Sequence, residues 1–101
     1  MTTAFATDQV FIGGVWRAPD GGATLPIENP STGESMGRLA AGTAADVDAA
    51  VQAARAAFEG EWGRTTAVER GRVLARMSRE VEARIDLLAE LEALDVGKPL
   101  K

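Results

Sequence analysis

The sequence contains neither cysteine nor histidine. The first absence excludes a disulfide framework, a thiolate metal site and a thiol nucleophile. The second removes the commonest general base and the commonest side-chain metal ligand. Basic residues are in the minority: 11 Lys and Arg stand against 15 Asp and Glu, for a net charge of −4. They form no cluster that would displace phosphate counterions, so nucleic acid is not expected as a partner. No run of 18 consecutive apolar residues occurs, so no transmembrane helix and no membrane partner are expected. Large apolar side chains are scarcer than the hydrophobic fraction of 46% suggests, because 19 of those residues are alanine and 27 are Val, Ile, Leu, Met, Phe or Trp. Fully burying a large side chain stabilises by about 1.5–3 kcal/mol and an alanine by much less. Ordering the backbone costs roughly 1–2 kcal/mol per residue. A core this lean is marginal unless another surface completes it.

What remains fits one domain at most at 101 residues. Residues 1–9 read as a flexible, polar start without the pattern of a signal peptide, and a cytoplasmic protein is the expectation. Val10-Phe11-Ile12 and Val15-Trp16-Arg17 flank Gly13-Gly14, which reads as a tight β-hairpin. No helix follows the glycines, which argues against a dinucleotide-binding turn. Pro19 to Gly22 is turn chemistry. Thr24 to Glu28 is a short extended run whose Pro26 belongs at an edge or makes the run irregular. Asn29 to Glu34 is a dense turn, and Ser35 to Ala41 returns as a second strand interrupted by Gly37.

From residue 43 the period changes to that of helices. Thr43 and Asp46 open the first helix, with the hydroxyl as cap and the carboxylate suited to the helix dipole. Val47, Val51, Ala54 and Phe58 follow at helical spacing, flanked by Ala49, Ala50, Ala53 and Ala57, which would let a neighbouring helix approach closely. Gly60 ends this helix, and Trp62 is expected to bury its ring between helices. Thr66 and Glu69 form a capping box for the second helix. Its stripe of Val73, Leu74, Met77, Val81, Ile85, Leu88, Leu91 and Leu94 marks one face. So long a run predicts a break near Arg84-Ile85-Asp86, with a third helix ending at Gly97 and Pro99. The fold class read from these patterns is α+β: a β-hairpin and short antiparallel strands, then three helices. Residues 10–42 would be the β-ribbons and 43–101 the helices.

No catalytic constellation is visible. Asp46 with Asp48, and Glu80 with Glu82, are two residues apart and do not share a helix face, so they read as solvated charge. Glu90 is expected to pair with Arg84 or Arg79. Asp95 is more informative, because a carboxylate at a helix C-terminus opposes the dipole and calls for a partner such as a cation or Lys98.

Several segments, taken together and in order, carry a family resemblance. They are Phe11-Ile-Gly-Gly-Val-Trp16, Ile27-Glu-Asn-Pro-Ser-Thr-Gly-Glu34, Gly42-Thr-Ala-Ala-Asp-Val-Asp-Ala-Ala-Val51, Ala53-Ala-Arg-Ala-Ala-Phe58, Trp62, Glu69-Arg70 and Leu88-Ala-Glu-Leu-Glu-Ala-Leu-Asp-Val-Gly-Lys-Pro99. From about Val10 to Lys101 the chain resembles the N-terminal segment of NAD(P)-dependent aldehyde dehydrogenases. The resemblance implies the outer part of a coenzyme-binding domain in an α/β enzyme that oxidises an aldehyde to a carboxylic acid. In that family a Cys attacks the carbonyl, hydride passes to NAD or NADP, and a Glu activates water. Those residues lie beyond Lys101, so no catalytic or coenzyme-binding residue is implied here, and the chain alone is expected to be inactive. The resemblance also implies a monovalent cation site, for potassium or sodium, at the carbonyls of Ile27 and Glu28 and at Asp95, in the full-length context only. Its implied partners are the remainder of a subunit and, through it, a homo-oligomer. The alternative is a small non-catalytic binding or assembly module derived from that family.

Overall fold

The computed structural model describes residues 7–100. The flexible start assigned to residues 1–9 therefore lies mostly outside the described residues. Its described end, Thr7, is tied down. Its carbonyl accepts from the Ala40 N–H at 2.9 Å, and its hydroxyl donates to the Arg38 carbonyl at 2.7 Å.

Four strands, three helices and one 3₁₀ turn follow in order: β1 (Val10–Ile12), β2 (Val15–Arg17), β3 (Thr24–Glu28), β4 (Ser35–Ala40), α1 (Ala44–Glu59), the 3₁₀ turn (Trp62–Arg64), α2 (Ala67–Ala83) and α3 (Ile85–Val96). The expected α+β class is observed. β1 and β2 pair antiparallel with Phe11 opposite Trp16, and both loop glycines take positive φ, as a tight hairpin turn requires. The two rings stack obliquely across the ribbon, 4.8 Å apart. β3 and β4 form a second two-stranded ribbon, in which Pro26 faces Arg38. Neither strand has a second neighbour in the sheet, so the missing proline N–H costs no interior ladder bond. The register slips between Ile27 and Glu28, which face Gly37 and Ser35, so Met36 is the extra residue of a bulge. The break between α2 and α3 falls at Arg84 and α3 starts at Ile85, within the expected stretch.

The chain divides into two compact units. Of the described residues, the first holds 7–28 and 35–63; the second holds 29–34 and 64–100. In the first unit α1 lies against β1. The face it turns inward is not the one the apolar spacing suggested. Asp46 is buried and Ala49 and Ala53 are half-buried, while Val47, Val51 and Phe58 stay exposed, Phe58 at 68%. A Cβ on Gly13 would lie 3.8 Å from the Ala53 methyl, so small residues on both sides allow the hairpin to sit close to the helix. Alanine spacing, rather than the bulkier stripe, decides this contact.

In the second unit the stripe of α2 and α3 is largely uncovered. Leu74 is 62% exposed, and Met77, Val81 and Ile85 are also exposed, whereas Leu91 and Leu94 are half-buried. Among the described residues no large apolar side chain is buried. Trp62, expected to bury its ring, remains 43% exposed. A three-residue 3₁₀ turn offers too little surface to enclose an indole.

Candidate functional site

A dense polar arrangement lies in the first unit, around Asp46. The carboxylate sits at the third position of α1, whose N-cap is Thr43. One oxygen accepts from the Thr43 N–H at 2.9 Å and from the Thr43 hydroxyl at 3.2 Å. The other accepts from the Arg17 guanidinium at 2.8 Å. The Asp20 N–H is shared between both oxygens, at 3.1 and 3.0 Å. Arg17 comes from the end of β2, Asp20 from the following turn, and Thr43 from the approach to α1. One carboxylate therefore joins three chain segments.

The electrostatics follow from those bonds. The Thr43 N–H is the largest influence and lowers the Asp46 pKa; burial opposes it; the Asp20 N–H, the Arg17 guanidinium and the Thr43 hydroxyl add to the lowering. The net result is a pKa of about 2 against an ordinary 3.8. The sequence reading of Asp46 as solvated charge is thus corrected: it is 3% exposed and fully partnered. The capping signal at Thr43-Asp46 was visible in the sequence. Its long-range partner Arg17, 29 residues away, was not. The arrangement ties the hairpin to the helix and leaves no carboxylate oxygen free for proton transfer, so its role is structural.

The residues proposed for a cation are distributed between the two units. Ile27 and Glu28 end β3 in the first, half-buried and exposed respectively. Asp95 lies exposed in the last turn of α3 in the second. Within the second unit the turn that follows Glu28 approaches the end of α3: a Cβ on Gly97 would lie 3.2 Å from the Ser31 hydroxyl and 3.4 Å from Pro30. Gly97 itself caps α3 in the left-handed region, φ 75°, with its N–H on the Ala93 carbonyl. The Asn29 turn is held by its own bonds, Gly33 N–H to the Asn29 carbonyl at 2.8 Å and Ser31 N–H to the Asn29 side-chain oxygen at 2.9 Å. Lys98 pairs with Glu92 at 3.3 Å and not with Asp95. Arg84 pairs with Glu80, one turn earlier, and not with Glu90. No group of three or more acidic, His or Cys side chains able to hold a metal occurs among the described residues.

A family model described as the aldehyde dehydrogenase family matches residues 16–101. The chain belongs to the aldehyde dehydrogenase family. It is 47% identical over 94 residues to the mitochondrial aldehyde dehydrogenase of Equus caballus, covering 91% of this chain and 19% of that protein. A Bacillus cereus aldehyde dehydrogenase variant superposes with a TM-score of 0.89 at 38% identity, over 94% of this chain and 20% of that one. The Mycobacterium tuberculosis aldehyde dehydrogenase solved with NAD+ superposes with a TM-score of 0.85 at 42% identity, over 92% and 20% respectively. The chain thus spans about a fifth of the length of the aldehyde dehydrogenases it matches.

A pyrophosphate is usually held by free N–H groups at a helix N-terminus behind a glycine-rich turn. Here Gly13-Gly14 joins two strands, and the N-termini of α1 and α2 carry their own carboxylates, Asp46 and Glu69, in capping boxes. No helix of the described residues is long and apolar enough to cross a membrane.

Proposed function

We propose that this chain is scaffold for an NAD(P)-dependent aldehyde dehydrogenase subunit, the outer part of its coenzyme-binding domain, and that the chain alone neither binds the coenzyme nor turns over aldehyde. The observation that carries this reading is the family match across residues 16–101 in a sequence with no cysteine to serve as nucleophile. Exposure of the apolar stripe on α2 and α3 supports it, because such a face is built to be covered. The test is direct. Calorimetric titration of the purified chain with NAD+ should give no heat of binding, and NADH should not form with any aldehyde. Turnover, or coenzyme binding that saturates, would overturn the proposal.

Within a complete subunit we further propose that Asp95 supplies the side-chain ligand for a monovalent cation, with Ile27 and Glu28 giving carbonyl oxygens. This rests on the family resemblance and on the exposed carboxylate, which Lys98 leaves unpaired by turning to Glu92. Asp95→Asn in a full-length relative should abolish the stabilisation of that enzyme by potassium. Unchanged potassium dependence would refute the assignment. Homo-oligomeric assembly of the complete subunit belongs to the same family-based reading.

A further inference from the structure

Asp20-Gly21 is the sole Asp-Gly pair in the sequence, and no Asn-Gly pair occurs. Glycine after aspartate is the least hindered setting for attack by the following backbone nitrogen on the aspartate side chain. The product is a five-membered succinimide, which reopens to aspartate or to isoaspartate. Asp20 is exposed, at the second position of a turn from Pro19 to Gly22 that is closed by a 2.8 Å bond from the Gly22 N–H to the Pro19 carbonyl. Gly21 has φ 81° and, among the described residues, no non-glycine residue has positive φ, so the turn is of type II. In that turn the ψ of the second residue is about +120°, which places the next nitrogen beside the Asp20 Hα and away from its carboxyl group. Ring closure needs rotation about the Asp20 Cα–C bond by roughly a third of a turn or more, and the rotation breaks the Gly22–Pro19 bond. The turn cannot relax freely, because the Asp20 N–H is held by both oxygens of the buried Asp46 carboxylate.

We propose that Asp20 is a site of spontaneous isoaspartate formation and that the grip of Asp46 on its backbone N–H restrains the reaction in the folded chain. In the ring-closing step the Gly21 N–Asp20 Cγ bond forms and the Cγ–OH bond breaks. The amide proton and the hydroxyl leave together as one water. In the second step one water adds to either imide carbonyl; opening at the backbone carbonyl routes the chain through Cβ. No oxidant or reductant is consumed and the mass is unchanged. The extra backbone carbon enlarges the turn and removes the Gly22–Pro19 bond beside the residues that anchor β2 to α1.

The sequence makes the measurement clean. Cleavage after Arg17 and Arg38 releases residues 18–38, a peptide with Asp20 as its one aspartate. Its one asparagine, Asn29, precedes Pro30, which has no N–H to attack with. The intact chain is incubated at neutral pH and 37 °C, then digested, and isoaspartate is quantified by labelling with an isoaspartyl methyltransferase and by chromatographic separation of the isomeric peptides. Wild type should accumulate label in that peptide several-fold more slowly in buffer than in concentrated urea. Asp46→Ala and the shape-conserving Asp46→Asn, each checked for retained helix by circular dichroism, should raise the rate in buffer several-fold. Asp20→Glu, which keeps the backbone N–H, should abolish the label. Equal wild-type rates in buffer and urea, unchanged rates in helix-retaining Asp46 variants, or no label in urea would each overturn the proposal.

Discussion

Asp46 joins the end of β2, the turn after it and the start of α1 through one carboxylate. Removing its carboxylate leaves the N–H groups of Asp20 and Thr43 without that acceptor and takes the ion-pair partner from Arg17, whose guanidinium keeps its bond to the Ala18 carbonyl. Asp46→Ala is therefore expected to lower the urea midpoint further than Thr43→Ala, which removes one cap and costs about 1 kcal/mol. The pH dependence has a definite sign. The folded carboxylate has a pKa of about 2, below its ordinary 3.8, so the unfolded chain takes up the proton first as the pH falls. The stabilisation is complete above the unfolded value and is lost progressively as the pH drops through the folded one. The midpoint difference between wild type and Asp46→Ala, measured by urea titration, should be flat above about pH 5 and should shrink between about pH 4 and pH 2. Subtracting the variant removes the titration of the other carboxylates. The sequence carried half of this site. A threonine followed three residues later by an acid is a local signal, because both bonds lie within one helical turn. The Arg17 contact depends on how a hairpin and a helix meet, and spacing along the chain holds no record of it.

At the scale of elements, caps and turns set the boundaries. α2 starts with a reciprocal box, Thr66 hydroxyl accepting from the Glu69 N–H at 3.2 Å and Glu69 carboxylate accepting from the Thr66 N–H at 3.3 Å. α3 starts at Ile85, and its N-cap, Arg84, makes no side-chain cap bond. Thr66→Ala should cost about 1 kcal/mol, read from urea unfolding followed at the helix band, while Arg84→Ala should leave the start of α3 in place. Gly63 is a stricter requirement. A Cβ there would overlap the Phe58 carbonyl oxygen, a backbone atom that cannot swing aside. Gly63→Ala is expected to force open the connection after α1, destabilising by at least about 1 kcal/mol, as strained backbone positions do. The lowered urea midpoint should be accompanied by faster hydrogen exchange of the last turn of α1. Strand pairing, helix spans and the break at Arg84 were legible in the sequence because each follows from glycine, proline and capping residues within a few positions. The close approach at Gly63 was not, because a glycine in a helix–helix connection looks the same whether it is crowded or free.

For the whole molecule, the decisive property is how little apolar surface the chain encloses. Leu74 and Met77 lie on an exposed face, so Leu74→Ala and Met77→Ala should each change the stability of this chain by less than about 0.5 kcal/mol. The same changes in a complete aldehyde dehydrogenase that covers this face should cost about 2–5 kcal/mol. Parallel thermal melts of the two proteins check the contrast, and equal losses in both would remove the case for a covered face. The sequence by itself determined the elements, their order and the family, since capping, turn chemistry and periodicity act over a few residues and survive in any context. It also fixed the absence of a thiol nucleophile. Tertiary structure alone decided that α1 meets the hairpin through Ala53 and Asp46 instead of through Val47, Val51 and Phe58. The physical reason is that burial depends on what approaches a face: the hairpin turn at Gly13 admits the Ala53 methyl, and Arg17 and Asp20 bond the Asp46 carboxylate, where bulkier side chains would hold the two elements apart.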